Sequence, residues 1–366
     1  MKVLTTPSLF VCSIESFSGK SMFCLGLALT LRENGHKVGY FKPVGWEMIR
    51  DSDGRKVDED AQLMKEVLNL KAPLEEISPI ILGTRFLEET SKIDPKTCEK
   101  RVLQAYENAS DGIEIMIIEG PHTFGVGASI GVECMSLTKK WDSHIVLVST
   151  MDDDTVVDRI ILNKKFIDSV HGNFLGAVMN CIPKTSIERV KGFASPILMK
   201  QGIDVLGVIP DKISLRAPTV REICKNIACT VLTCKDRMDL LVEDVLVGAM
   251  TPESALSYFR KSMRKAVITG GDRVGVQLAA LQTDTSVLIL TGNIYPDVRI
   301  LARAEQVGVP VLLVPHDTYT TVKEIANLSG RIKPKETKKI ELAKNLVKEY
   351  VDWKSILSAL MKQKKA

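Results

Sequence analysis

Six short apolar runs, separated by longer segments of helical period, constrain the fold of this chain more than any other feature. They read LFVCS (9–13), KVGYFKP (37–43), IEIMIIEG (113–120), SHIVLVST (143–150), NFLGAVMN (173–180) and IDVLGVIP (203–210). Most are continuously apolar and rich in β-branched residues, the pattern of parallel strands covered on both faces. Between them KSMFCLGLALTLRENG (20–35), DEDAQLMKEVLNL (58–70), DPKTCEKRVLQAYENASDG (94–112) and DTVVDRIILNKKFIDSVHG (154–172) carry helical spacing and end on turn residues. Strand and helix in alternation predict an α/β fold, a mostly parallel sheet with helices on both faces.

Beyond residue 230 the pattern resets. LVEDVLVGAM (241–250), RKAVITGGDR (264–273), TSVLILTGN (285–293) and VPVLLVPHDT (309–318) alternate with their own helical segments, a second and smaller α/β series. A final stretch, KETKKIELAKNLVKEYVDWKSILSAL (335–360), places Leu342, Leu346, Tyr350 and Trp353 on one helical face. The expected division is therefore 1–235, 236–330 and a basic amphipathic helical extension over 331–366.

Charge gives no argument for a nucleic-acid partner, and none is expected. The 49 Lys and Arg exceed the 45 Asp and Glu by only four, and the excess is local, since from Arg331 onward eleven basic residues face four acidic ones. That basic end reads as a solvated helix docked by its apolar stripe rather than a membrane contact. No apolar run reaches the roughly 18 residues of a membrane span, and the N-terminus has no secretory pattern. The eight cysteines include no Cys-x-x-Cys pair, and Cys224, Cys229 and Cys234 repeat at a spacing that suits neither a helix face nor a strand face. Free thiols in a reducing, cytoplasmic setting are the expectation. The acids Asp51, Asp53 and Asp58 fail the calcium-loop pattern because Arg55 stands at a ligand position.

The stretch SIESFSGKSMF (13–23) lies between the first expected strand and the first expected helix. Backbone N–H groups and a helix N-terminus there suit a phosphate. Ser13, Ser16, Phe17, Ser18 and Gly19 would form the cradle, Lys20 would reach the β and γ oxygens, and the Ser21 hydroxyl would hold a divalent cation. Glu15 is the anomaly, a carboxylate that must turn away from a triphosphate or pair with a cation. Asp60 and Glu119 stand where carboxylates converge on the sheet's carboxyl edge, although Asp60 also suits a helix N-terminus. Lys42 is either a second cation over the reacting centre or surface charge, and Asn180 either meets a base edge or forms a turn.

Together these residues resemble the dethiobiotin synthetase-like branch of P-loop proteins, which includes cobyrinic acid a,c-diamide synthases and the N-terminal region of long bacterial phosphate acetyltransferases. The family's first glycine falls on Ser13. The resemblance implies Lys20 as the phosphate lysine, Ser21, Asp60 and Glu119 as magnesium ligands, Lys42 beside the acceptor and Asn180 on adenine. Residues 238 to about 330, with VITGGDRVGVQLAALQTDTSVLILTGNIYP (267–296), resemble the DRTGG module of those acetyltransferases. The acetyltransferase catalytic domain is expected to be missing, so that activity is not expected either. After Glu119 the chain reads EGPHTFGVG, where the synthetases have Glu-Gly-Ala-Gly-Gly, so Pro121, His122 and Thr123 replace small residues beside the acceptor.

The reading that follows is an MgATP-binding P-loop protein with a regulatory, nucleotide-sensing role and at most slow hydrolysis. Two alternatives stand beside it: an ATP-dependent ligase or synthetase that activates a carboxylate or carbamate as an acyl phosphate, and a non-catalytic assembly protein. The expected partners are a nucleotide, a small carboxylate metabolite, a metabolic enzyme and further copies of the chain.

Overall fold

The computed structural model describes residues 6–46, 48–50, 56–83, 86–91, 93–151, 153–326, 328 and 331–363. The chain forms two compact units, the first built from 1–211 together with 333–366 and the second from 212–332. The rejected calcium-loop residues Asp51, Asp53 and Arg55 lie outside the described residues.

In the first unit β1 (Ser8–Ser13) and β2 (Val38–Phe41) belong to the main sheet. Four short strands follow, β3 (Val44–Gly45), β4 (Met48–Arg50), β5 (Lys56–Asp58) and β6 (Ile80–Ile81). They pair as two small ladders, β3 with β6 and β4 with β5. Next come β7 (Ile115–Glu119), β8 (His144–Ser149), β9 (Asn173–Ile182) and β10 (Val205–Pro210). The main sheet has the order β10-β9-β8-β1-β7-β2, and every pairing in it is parallel. β1 is buried from end to end, as its uninterrupted apolar sequence demands of a central strand. One core cluster lies on a face of this sheet, where Trp141 stacks on Tyr106 at 4.3 Å and Phe41 meets both rings edge-on.

Helix α1 (Lys20–Glu33) starts at Gly19, whose φ of +79° is the left-handed conformation that glycine enters without strain. It ends where Gly35 takes φ +88°. Phe23, Cys24, Leu25, Leu27, Ala28 and Leu31 are all fully buried, so α1 is covered on more than its sheet side. The second cover is the helix Thr337–Tyr350, which buries Ile340, Ala343, Leu346 and Val347. At Gly26 the two helices approach so closely that a Cβ would lie 2.5 Å from the Ala343 carbonyl oxygen and 2.6 Å from Val347.

The C-terminal stretch, read as one amphipathic extension, is thus part of the first unit and consists of two helices. Val351 is extended and bridges to Gly207 of β10, after which Trp353–Gln363 forms the second helix. Tyr350 and Trp353, expected on one stripe, lie on either side of this break.

The second unit holds β11 (Thr230–Val231), β12 (Asp244–Val247), β13 (Lys265–Gly270), β14 (Thr285–Thr291) and β15 (Val311–Leu313). Their order is β11-β15-β14-β13-β12, parallel except for β11. It begins well before the expected 235 because the helix Val220–Asn226, started by a Thr219/Glu222 capping box, buries Val220 and Ile223 in one cluster with Ile268 and Ile289. Cys224 and Cys229, expected as thiols, are joined as a disulfide with Cα atoms 5.8 Å apart. The helix ends between them and the extended Ile227 turns the chain back.

The Gly26 approach leads to a test. Gly26→Val forces a branched side chain into the Ala343 backbone, and a urea melt of the full chain is expected to show a loss of about 3 kcal/mol, the upper part of the overpacking range.

Candidate functional site

The carboxyl ends of β1, β2 and β7 and the start of α1 bring most of the expected residues together. Lys20 is buried, and its Nζ donates to Ser13 Oγ at 2.6 Å and to the His122 carbonyl oxygen at 3.3 Å. The Ser13 hydroxyl in turn has the carbonyls of Glu15 at 2.9 Å and His122 at 3.2 Å within reach. No side chain caps α1, which leaves its first-turn N–H groups facing the loop. Ser16 and Phe17 sit at the exposed tip, Phe17 with φ +59°.

Asn180 ends up beneath the loop. It is buried at 1% exposure and its Nδ2 donates to the Ser18 carbonyl at 2.8 Å, close enough to Gly19 that a Cβ there would lie 2.2 Å from Nδ2. Its Oδ1 and the Ser18 hydroxyl are buried without hydrogen-bond partners. Orphaned polar atoms of this kind are expensive in a protein interior, and both lie where Asn180 meets the loop before α1.

Behind the loop lies a buried charge cluster. Lys42 Nζ stands 2.5 Å from Asp60 Oδ2, 3.1 Å from Asp58 Oδ1 and 3.4 Å from Glu119 Oε1. Ser21 Oγ donates to Glu119 Oε1 and Tyr40 OH to Glu119 Oε2, each at 2.9 Å. Burial pushes the Lys42 ammonium down, but Asp58, Asp60 and Glu119 outweigh it and hold the group well above its usual range. For Asp60 burial is outweighed by Lys42, with help from Ser21, so it is held below the usual carboxylate range. Asp58 and Glu119 are raised, chiefly by burial. Burial also lowers Lys20, and burial followed by Lys20 and Lys42 lowers His122, which favours a neutral imidazole.

With Lys20 and Lys42 against Asp58, Asp60 and Glu119, the cluster carries two positive and three negative groups. Among the described residues no set of three His, Cys, Asp or Glu side chains is placed to hold a metal by itself. The donor set of Ser21, Asp60 and Glu119 suits instead an ion like Mg²⁺, which takes one or two carboxylates and completes its shell with water and phosphate oxygens.

Two participants, Asp58 and Tyr40, are absent from the expected set, while Glu15 turns aside as expected. Asp58 reads as one more loop acid, yet it caps helix α2 (Glu59–Val67), its Oδ1 accepting from Ala61 N at 2.9 Å, while its Oδ2 accepts from Trp46 N at 3.2 Å. Asp at the start of DEDA is a helix-cap signal that could have singled it out. Tyr40 reads as an ordinary strand residue. Glu15 is turned aside, its Oε1 accepting from Thr150 N at 2.6 Å and Ser149 Oγ at 2.8 Å, with Arg159 3.7 Å from Oε2.

Aromatic rings meet beside the loop that follows Glu119. His122 meets Trp46 at 5.0 Å and Phe17 at 5.7 Å, and Trp46 meets Phe86 at 6.0 Å.

Residues 7–219, more than half of the chain, match the family model described as AAA domain. The chain belongs to the AAA domain family. Beyond its AAA domain, residues 222–328 match the model described as DRTGG domain. A phosphate acetyltransferase of Nitratidesulfovibrio vulgaris is 26% identical over 98% of this chain and 52% of its own length. An ATP-dependent dethiobiotin synthetase of Methanococcus vannielii is 26% identical over 56% of this chain and 93% of its own. Among solved structures, the septum site-determining protein MinD of Pyrococcus horikoshii, complexed with Mg-ADP, is 16% identical over 57% of this chain and 82% of that one, with a TM-score of 0.36. The chain spans about half the length of the phosphate acetyltransferases it matches. The order of an N-terminal dethiobiotin synthetase-like P-loop domain and a DRTGG domain is that of the long phosphate acetyltransferases. Among the described residues no helix is long and apolar enough to cross a membrane.

The charge cluster sets up a test with a defined sign. Lys42→Met strands three buried carboxylates and is expected to cost about 3–5 kcal/mol in chemical denaturation near neutral pH. In the wild type the raised Lys42 pKa contributes stability that is complete below the ordinary lysine value of 10.5 and lost as pH rises through the folded value. The lowered Asp60 pKa contributes stability present above 3.8 and lost as pH falls through its folded value. In the variant the unpaired carboxylates take up protons in the folded state first, so its deficit is expected to shrink between about pH 7 and about pH 5.

Proposed function

We propose that the AAA domain binds MgATP and that the protein works as a nucleotide-dependent regulator with at most slow hydrolysis. The observation that carries this reading is the Lys20 loop beside a charge cluster one positive charge short, with ring contacts of Trp46, His122 and Phe17 next to it. Lys20, Ser13, Ser16, Phe17, Ser18 and Gly19 surround the phosphates, and Asn180 holds the loop from below. Ser21, Asp60 and Glu119 hold the cation, which neutralises phosphate charge when bound. Lys42 keeps the carboxylates ionised and in place, and its ammonium remains available to a γ-phosphoryl group.

A ligase needs room beside Lys42 for a carboxylate or carbamate. The Trp46 and His122 contact at 5.0 Å occupies that side, which favours sensing over synthesis. In a sensor, the nucleotide draws Lys20 away from Ser13 and the His122 carbonyl, and the loop 120–126 reports its presence to the DRTGG domain, to a second copy or to a metabolic enzyme.

Calorimetric titration of MgATP into the full chain is expected to show binding that weakens at least tenfold in Lys20→Ala, the scale of one lost charge-assisted hydrogen bond. Equal binding by both proteins would remove the phosphate-site assignment. Phosphate release is expected to stay slow on addition of bicarbonate, ammonia, glutamine or small carboxylic acids, and strong stimulation by any of them would replace the sensor with a synthetase.

A further inference from the structure

We propose that the AAA domain carries a second small-molecule site, separate from the phosphate loop, that takes an apolar monocarboxylate. A cavity of about 440 Å³ lies behind β5 and β6, within the usual size range of ligand pockets. Val57, Leu74, Ile80, Leu82, Ile93 and Ile130 give it apolar walls. Neither Lys20 nor Lys42, nor any of the residues assigned to the nucleotide, lies on its lining.

Two polar features define what would fit. Ser78 lines the cavity, is only 3% exposed, and its hydroxyl has no hydrogen-bond partner. A buried hydroxyl left unmet in this way is an exception in proteins. Among the described residues the charged ones on the lining are Lys56, Glu75 and Arg101, an excess of one positive charge. Arg101 projects from the helix Pro95–Ala109, is exposed, and makes no ion pair within hydrogen-bonding distance among the described residues. An apolar body against the isoleucines with one carboxylate on Arg101 satisfies both the walls and the charge. A neutral apolar compound leaves Arg101 unused, and a dianion exceeds the available charge.

The site is tested without nucleotide, so its failure is distinct from that of the MgATP reading. Octanoate and octanol are titrated calorimetrically into the full-length wild type, Arg101→Gln and Ile81→Trp, the last placing a large ring on the cavity lining. Octanoate is expected to bind the wild type about fivefold tighter than octanol, the scale of one partly exposed ion pair. Arg101→Gln is expected to erase that difference, and Ile81→Trp to abolish binding of both while melting as one cooperative transition. Absence of octanoate binding to the wild type, or an unchanged preference in Arg101→Gln, overturns the proposal. Should Ile81→Trp fail to fold, the Arg101→Gln comparison decides alone.

Discussion

Lys42 sits where three carboxylates would otherwise repel one another, two of them fully withdrawn from water and Asp60 nearly so. Asp58 arrives from β5 and the cap of α2, Asp60 from the first turn of α2, and Glu119 from the end of β7. A single ammonium at 2.5 to 3.4 Å from all three ties the irregular region after β2 to the central sheet. The backbone shares in this, since Lys42 N donates to the Ile77 carbonyl at 2.8 Å and Trp46 N to Asp58. Such a cluster is a poor source of net stability, because each charge loses its hydration, but it makes alternative arrangements of the same segments costly. The Ser21 hydroxyl, the Tyr40 phenol and the α1 N-terminus are all placed relative to it.

Much of the fold was legible in the sequence, for physical reasons. Strands buried on both faces need uninterrupted apolar residues, and β1, β7 and β8 show them plainly. The start of α1 was legible because Gly19 can take the left-handed conformation from which the helix begins. Asp58 was hidden because its neighbours Glu59 and Asp60 carry the same charge, and only the fold decides which acid turns inward. Tyr40 was hidden because a tyrosine in an apolar strand looks like core until its hydroxyl finds a partner. Glu15 looked hostile to phosphate since its partners Ser149 and Thr150 lie at the end of another strand, far away in sequence. The start of the second unit was missed because the helix Val220–Asn226 follows β10 closely and its apolar face has no tag naming the sheet it will cover.

The aromatic packing around His122 joins segments that lie far apart in sequence. The parts that need charge, Lys20, Lys42 and the acids, are kept in one buried cluster. Beside them, next to Pro121, His122 and Trp46 make a ring contact. Small flexible residues would leave that side to solvent, whereas the rings link the loop tip at Phe17 to the wall at Phe86.

The return of the C-terminal helices to α1 orders the birth of the molecule. Lys348 and Glu33, which pair across this contact, are 315 residues apart. At roughly 5–20 residues per second of synthesis, the outer face of α1 waits on the order of 15–60 s for its cover. All of 212–332 is made in that interval. The second unit can therefore finish folding on the ribosome while the first, which holds the phosphate loop, is still open along one helix. A chain released early would present Gly26 and its apolar neighbours to whatever holds unfinished proteins in the cell.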